Sequence, residues 1–362
     1  MARLVAALSG GVDSAVAAAR AIDAGHEVTA IHMALSRTPL TYRTGSRGCC
    51  SLEDANDARR VADVLGVPFY VWDFSQEFHA EVVEDFVKEY ERGRTPNPCL
   101  RCNEKIKFAA LCDRGLALGF DGVVTGHYAR LATSDDGRVE LHRGVDAAKD
   151  QSYVLGVLTQ EQLRHSYFPL GDSTKGAVRQ EARERGIKVA DKPDSYDICF
   201  IPEGDTAEYL YDKLGRRPGE IRDETGTVVG RHQGFFAYTI GQRKGLRLGA
   251  PASDGRPRYV VGLDPASNTV VVGPKEHLSI SGLRGIDPLW CDQAPSTPFE
   301  ATVQLRAHAA EIPARVAVDD AGVDITLHEP AFGIAPGQTA VIYAGTKVVG
   351  SATIDSTVAL SS

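Results

Sequence analysis

Nowhere in the 362 residues does an apolar run reach the 18 or more that a membrane-spanning helix needs, and the opening MARLVAALSGG turns polar too early for a signal peptide. A cytoplasmic location is therefore expected. Cysteine is scarce: seven residues (Cys49, Cys50, Cys99, Cys102, Cys112, Cys199 and Cys291) are too few and too spread for a secreted disulfide framework, and point to reduced thiols. Positive charge is lacking too, with 40 Lys and Arg against 48 Asp and Glu, a net charge of −8. That balance argues against a nucleic-acid partner, but only weakly, because a local basic face fits inside an acidic total. No internal repeat, low-complexity segment or G-x-x-x-x-G-K-[ST] phosphate loop occurs.

What is present describes a globular chain of two or three domains, 43% hydrophobic and 24% charged. Arg3 to Leu8 is an apolar run of strand length, Ser9 to Ser14 reads SGGVDS, and Ala15 to Gly25 is an Ala-rich helix with a glycine stop. In such a strand, loop and helix, Gly10 and Gly11 let backbone N–H groups surround an anion, and Ser9 and Ser14 add hydroxyl donors. Asp13 would repel phosphate unless Mg²⁺ sits between them. The bland alternative is an ordinary glycine turn. Further along, Cys99 and Cys102 form a C-x-x-C pair in NPCLRCNEKIKF, a spacing that serves metal, redox and nucleophilic chemistry alike.

SGGVDS in this setting resembles the PP-loop of the N-type ATP pyrophosphatases, which split ATP between its α and β phosphates and adenylate a substrate. Strands at Glu27 to Met33, Pro68 to Phe74 and Asp121 to Ala129 alternate with a helix opened by Ser51 and Asp54 and closed by Gly66, and with another from about Gln76 to Arg92. The expected fold is α/β: a doubly wound parallel sheet carrying its site at the carboxyl ends of its strands. By the resemblance, the nucleotide is bound by Ala7, Leu8, Ser9, Gly10, Gly11, Val12, Asp13, Ser14, Met33 and Gly126. Past Asp205, a short helical stretch and a glycine-rich run of strand formers suit a small β-containing central domain. From about Gly282 short alternating runs suit a β-barrel. The expected division is 1–205, 206–280 and 281–362.

Six ordered stretches narrow the superfamily: GRTPNPCLRCNEKIKF, TGHYAR, KDQSYVL, DSYDICFI, YTIGQRKGL and PGQTAVIY. Together they resemble the tRNA-specific 2-thiouridylase family, which exchanges the C2 oxygen of the wobble uridine for sulfur. The resemblance implies ATP and Mg²⁺ as cofactors, tRNA as substrate, and a sulfur donor such as a cysteine desulfurase or a persulfide relay protein. It makes Cys102 the nucleophile and Cys199 the persulfide carrier. Cys99 stands where many members have Asp, an acid/base group.

Asn97, Pro98 and Cys99 would line the pocket for the flipped base, and His127, Lys149, Asp150, Gln151, Arg306 and Gln338 would touch tRNA. Ala307 replaces a frequent Tyr beside Arg306. Arg216, Arg217, Arg231, Arg243, Lys244, Arg247, Arg256 and Arg258 supply basic charge, each of which on its own also reads as solvated surface.

Three questions stay open at this level. Cys99, Cys102 and Cys199 suit either a metal-free persulfide relay, which is favoured, or three corners of a [4Fe–4S] cluster. Zinc lacks an obvious fourth ligand. Cys112 and Cys291 read as buried apolar residues, and Cys49 and Cys50 are unassigned. A small-molecule PP-loop ligase is the alternative function, disfavoured because it has no use for the paired thiols and no glutaminase segment is recognisable. A non-catalytic RNA-binding protein on a degenerate loop is disfavoured by the intact SGGVDS.

Overall fold

The computed structural model describes residues 1–36, 52–194, 198–201, 204–249 and 254–360. Ser51, Cys49 and Cys50 lie outside them, and with them the expected helix cap and the two unassigned thiols.

The first sheet is parallel throughout, in the order β3-β2-β1-β4-β7, from β1 (Arg3–Ala7), β2 (Glu27–Ala34), β3 (Phe69–Asp73), β4 (Gly122–Val124) and β7 (Ser166–Tyr167). Leu4, Val5 and Ala6 of β1 are wholly buried because helices cover both faces of the sheet, as a parallel sheet requires. On one face lie α1 (Val12–Asp23) and α2 (Leu52–Leu65), packed through the alanines of α1. On the other lie two long helical segments, 75–91 and 98–117, each with a π-helical stretch, His79–Val83 and Asn103–Ala110. The expected helix from Gln76 to Arg92 is thus present, with a widened turn that periodicity alone does not reveal.

Strand order reverses between β1 and β4, so their carboxyl ends open a crevice where doubly wound sheets bind ligands. Ser9 to Ser14 leave β1 there, and Thr125 to His127 leave β4.

A hairpin of β5 (Ala129–Thr133) and β6 (Val139–Arg143) follows. The second sheet, in order β10-β11-β8-β9, is built from β8 (Gly219–Asp223), β9 (Val228–His232), β10 (Tyr259–Asp264) and β11 (Thr269–Gly273). The third runs β12-β15-β14-β13-β16-β17 and closes on itself through β12–β17. Its strands are β12 (Ser279–Trp290), β13 (Phe299–Gln304), β14 (Ile312–Asp319), β15 (Gly322–Phe332), β16 (Thr339–Ala344) and β17 (Lys347–Ala359). Closure leaves no free edge among these six, which is how an antiparallel sheet avoids unpaired backbone. The expected parallel sheet, central β module and barrel are all present.

Among the contacts that bind the barrel to the first sheet's domain, two lie near the candidate thiols and the hairpin, and neither is visible in the local pattern. The β5–β6 hairpin abuts the barrel where Lys347 pairs with His142, and the Lys347 ammonium bridges Glu140 (2.7 Å) and Asp292 (2.9 Å). The 93–97 segment, just before the C-x-x-C helix, is held by Arg94. Its guanidinium reaches Glu89 (2.7 Å), Asp355 (2.8 Å) and the Ile354 carbonyl (3.1 Å). Gly337 fits against Thr95 so closely that a Cβ would stand 2.8 Å from the Thr95 nitrogen. Charged hydrogen bonds of this kind contribute about 2 kcal/mol net. Arg94→Ala is therefore expected to lower unfolding free energy by roughly 2 kcal/mol, read as a drop in the urea midpoint at unchanged m-value.

Candidate functional site

The loop after β1 owes its shape to backbone fit on both sides. Gly10 has φ +75°, and a Cβ there would lie 2.4 Å from the Asp54 carbonyl oxygen, so only glycine serves. On the opposite side a Cβ on Gly126 would lie 2.6 Å from both the Asp13 carbonyl carbon and the Ser14 nitrogen. Gly11 caps α1 with extended backbone and no side-chain cap, which leaves first-turn N–H groups for an anion. Ser14 is buried and its hydroxyl turns back into the loop, accepting from the Ser9 N–H (3.2 Å) and donating to the Gly11 carbonyl (3.1 Å). Ala7, Leu8 and Val12 send their side chains into the core, so only their backbone faces the crevice; Met33 is half-buried on β2.

Asp13 is the charged centre of the crevice. It accepts from the Tyr128 hydroxyl (2.8 Å) and is straddled by the Lys175 ammonium at 2.7 and 2.6 Å. Lys175 also reaches Asp194 (2.9 Å), which takes Lys149 (2.7 Å) and Arg179 (3.1 Å) as well. Burial alone would raise the Asp194 carboxyl, but hydrogen bonds from Lys149 and Lys175 outweigh it and hold its pKa at about 2. Lys192 grips the loop from behind, donating to the Gly10 carbonyl (3.2 Å), Asp54 (2.8 Å) and Asp57 (2.8 Å). Sequence reasoning missed Lys175 and Lys192, for which no local motif offers a signal.

The thiols come next. Asn97 accepts from the Cys99 N–H (3.1 Å) and Pro98 takes the first helical position, an ordinary helix start that fixes where the C-x-x-C pair begins. Cys99 is exposed and Cys102, one turn on, is buried. Arg101 between them donates to the Glu81 carbonyl (3.1 Å) and Glu104 (3.3 Å). Cys199 is half-buried and packs with Phe200 against the apolar cluster that contains Cys102, Phe74, Phe78 and Ile106. Cys102 and Cys199, 97 positions apart, thus share one cluster, while Cys99 stands on the open side.

Among the described residues no group of three or more His, Cys, Asp or Glu could hold a metal. Cys99, Cys102 and Cys199 are accordingly not drawn together as a three-donor set among the described residues. Burial pushes the Cys112 thiol to about 11, with Asp113 and Glu161 adding to it, and the Cys291 thiol to about 12. Both behave as the apolar residues expected.

The expected tRNA contacts divide. His127 is buried between Phe108 and Phe168 and hydrogen-bonded to Thr125 (2.7 Å); burial, helped by Lys107, keeps its ring neutral. Asp150 is an internal joint, accepting from Arg143 (2.7 Å), the Gly144 N–H (2.9 Å) and Ser152 (2.8 Å). The Gln151 side chain accepts from the Tyr128 N–H (3.0 Å). Lys149 is partly exposed beside Asp194. Arg306 is exposed and donates to the Phe332 and Gly333 carbonyls, and Gln338 donates to the Thr95 carbonyl at 2.5 Å. Of the basic residues, Arg216, Arg217, Arg256 and Arg258 are paired with Glu208, Glu91, Glu276 and Asp254. Arg231, Arg243, Lys244 and Arg247 are exposed, with no ion-pair partner among the described residues.

Three family models match the chain in succession: the tRNA methyl transferase HUP domain at residues 2–203, the tRNA methyl transferase PRC-barrel domain at 207–274 and the aminomethyltransferase beta-barrel domain at 280–354. The chain is 64% identical over 360 residues to the tRNA-specific 2-thiouridylase MnmA of Nocardioides sp., covering 98% of each. The chain belongs to the tRNA-specific 2-thiouridylase family. Its resemblance to other 2-thiouridylases is similar in extent: 62% identity to that of Acidothermus cellulolyticus, covering 97% of each chain, and 60% to that of Streptomyces coelicolor, covering 98% of this chain and 95% of the relative. A solved 4-thiouridine synthetase–RNA complex with bound ATP matches 59% of this chain and 50% of its own at 18% identity, with a TM-score of 0.37.

For this 2-thiouridylase family member the burial order of the thiols makes a direct prediction. With a maleimide at pH 8, Cys99 is expected to be alkylated first, Cys199 next and Cys102 more slowly, while Cys112 and Cys291 react only on unfolding. Peptide-resolved mass spectrometry reads the order, and early labelling of Cys102 contradicts the packing described.

Proposed function

We propose that this protein is an ATP-dependent tRNA-uridine 2-sulfurtransferase acting on the wobble uridine. What supports the reading is one juxtaposition: a glycine loop fit for an anion at the crevice of a doubly wound sheet, with Cys102 and Cys199 sharing one apolar cluster on the sheet's second face. A persulfide relay needs only such a pair of thiols.

Ser9 to Ser14 receive the ATP phosphates on backbone N–H groups, as Ala7, Leu8, Val12, Met33 and Gly126 shape the walls. Asp13 offers hard carboxylate oxygens, the donor type Mg²⁺ takes, and the ion when bound neutralises phosphate charge. The uridine C2 oxygen attacks the α-phosphorus and pyrophosphate departs, which turns a poor leaving group into AMP. The terminal sulfur of a Cys199 persulfide then attacks C2 and AMP leaves. The Cys102 thiolate attacks the Cys199 sulfur, breaking its bond to the transferred sulfur, and a Cys102–Cys199 disulfide remains for an external thiol to reduce. Cys99 stands at the mouth beside Asn97 and Pro98, where the flipped base enters.

Lys149, Arg306 and Gln338, with the exposed Arg231, Arg243, Lys244 and Arg247, form the tRNA-facing set; Asp150, Gln151 and His127 support it from within. A cysteine desulfurase or persulfide relay protein supplies sulfur in the cytoplasm. The domains divide as 1–205, 206–280 and 281–362, close to the family-model limits at 203, 207, 274 and 280. No described helix is long and apolar enough to cross a membrane.

The test is incubation with α-labelled ATP, tRNA and a sulfide source. Wild type is expected to release AMP only with tRNA and to form 2-thiouridine. Cys102→Ala and Cys199→Ala are each expected to lose thiolation at least 100-fold, Cys99→Asp to keep a substantial share of it, and Asp13→Ala to lose adenylation with tRNA affinity nearly intact. AMP release independent of tRNA would overturn the assignment. If Lys149 makes one phosphate contact, Lys149→Ala also lowers the slope of log K against log salt by about one unit, measured by filter binding.

A further inference from the structure

We propose that Lys175 is a phosphate-binding residue held in reserve on Asp13: without nucleotide it neutralises that carboxylate, and with a polyphosphate in the loop it trades the carboxylate for phosphate oxygens. The inference rests on the ATP reading above and adds to it a residue outside every motif that carried the reading.

The geometry makes Lys175 the movable member of its cluster. Its ammonium lies 2.7 and 2.6 Å from the two Asp13 oxygens, at the residue that begins the helix over the phosphate crevice, and is mostly shielded from solvent. A lysine is a point charge on a four-carbon stem, able to swing between neighbouring acceptors without a fixed hydrogen-bond plane. Its departure orphans neither carboxylate. Asp13 keeps the Tyr128 hydroxyl at 2.8 Å, and Asp194 keeps Lys149 at 2.7 Å and Arg179 at 3.1 Å. The helix that carries Lys175 stays in place regardless, because Asp146 accepts the Lys175 backbone N–H at 2.9 Å and Thr174 caps the helix.

Asp13 keeps 31% of its side chain exposed, but its negative charge sits on the loop that would receive phosphate, and the more shielded Lys175 ammonium offsets it there. Once released, Asp13 presents its oxygens to the crevice and Lys175 carries positive charge to the β and γ phosphates. The trade favours nucleotides with a polyphosphate tail. AMP, with a single phosphate, gains much less from it. Selectivity for ATP over its product AMP then comes in part from one lysine.

Calorimetric titration of ATP and of AMP onto wild type, Lys175→Met and Lys175→Arg, each with Mg²⁺ and without tRNA, tests this. Expected are a loss of at least tenfold in ATP affinity for Lys175→Met, a change under threefold for AMP, and ATP binding within threefold of wild type for Lys175→Arg. Equal losses for ATP and AMP overturn the proposal, because Lys175 would then merely shape the loop, and unchanged ATP affinity overturns it outright. Should Lys175→Met fail to fold, pyrophosphate binding in EDTA to Asp13→Asn and to Asp13→Asn/Lys175→Arg decides. Both are expected to bind at least threefold more tightly than wild type, since the cation no longer has a carboxylate to leave, and weaker binding overturns the proposal. A wild type that binds neither nucleotide overturns the ATP reading itself and this inference with it.

Discussion

Everything at the crevice hangs on two places where backbone meets backbone with no room for a side chain. Gly10 lies against the Asp54 carbonyl at the start of α2, and Gly126, at the end of β4, lies against the first residues of α1. These contacts press the loop between two elements and aim the first turn of α1 into the gap between β1 and β4. The anion site is thus a consequence of packing. The Ser14 hydroxyl ties the loop to itself through Ser9 and Gly11, and Asp54 and Gly126 press it from either side. Lys192 reinforces the same fit electrostatically by joining the Gly10 carbonyl to the α2 carboxylates.

The thiol site depends on a different constraint. Cys99 and Cys102 ride on a helix whose start is set by Asn97 and Pro98, and the segment before it is clamped to the barrel by Arg94, Gly337 and Gln338. The barrel, distant in sequence, thereby helps place the thiol-bearing helix against the sheet's second face. The Gln338 side chain holds the Thr95 backbone while staying partly exposed. Cys199 arrives from the other side, and Phe200 packs edge-on against Phe78 (5.8 Å) and Phe86 (5.2 Å), anchoring the thiol by its neighbour.

Local elements were legible in the sequence where a single stretch carries the cause. The strand, glycine loop and helix at the N-terminus, the alternation that builds the parallel sheet, and the short strands of the barrel all express nearest-neighbour physics. The partners of Asp13 were not legible, because Lys175 lies 162 positions away and no periodicity links an ion pair across such a span. Asp150 sits in a motif shared with Lys149 and Gln151, and the motif could not say that its carboxylate turns inward to Arg143 and Ser152 while Lys149 stays near the surface. The π-helical turn after Cys102 escaped for a related reason: its residues have ordinary helical preference, and only the packing around Asn103, which donates to the Val154 carbonyl at 2.8 Å, accompanies the wider turn.

The acidic total of the chain is reconciled with an anionic substrate by where its charges are used. Many of the carboxylates are engaged internally: Asp13, Asp54, Asp57, Asp150 and Asp194 each bind a lysine or an arginine within the fold. Such pairs contribute little field beyond their own neighbourhood, since opposite charges a few ångströms apart cancel within a screening length. Arg231, Arg243, Lys244 and Arg247 stand outside that cancellation. A polyanion approaching the surface responds to these uncancelled cations on the central domain and much less to the formal sum, so a net charge of −8 and a nucleic-acid-binding face are compatible in one molecule.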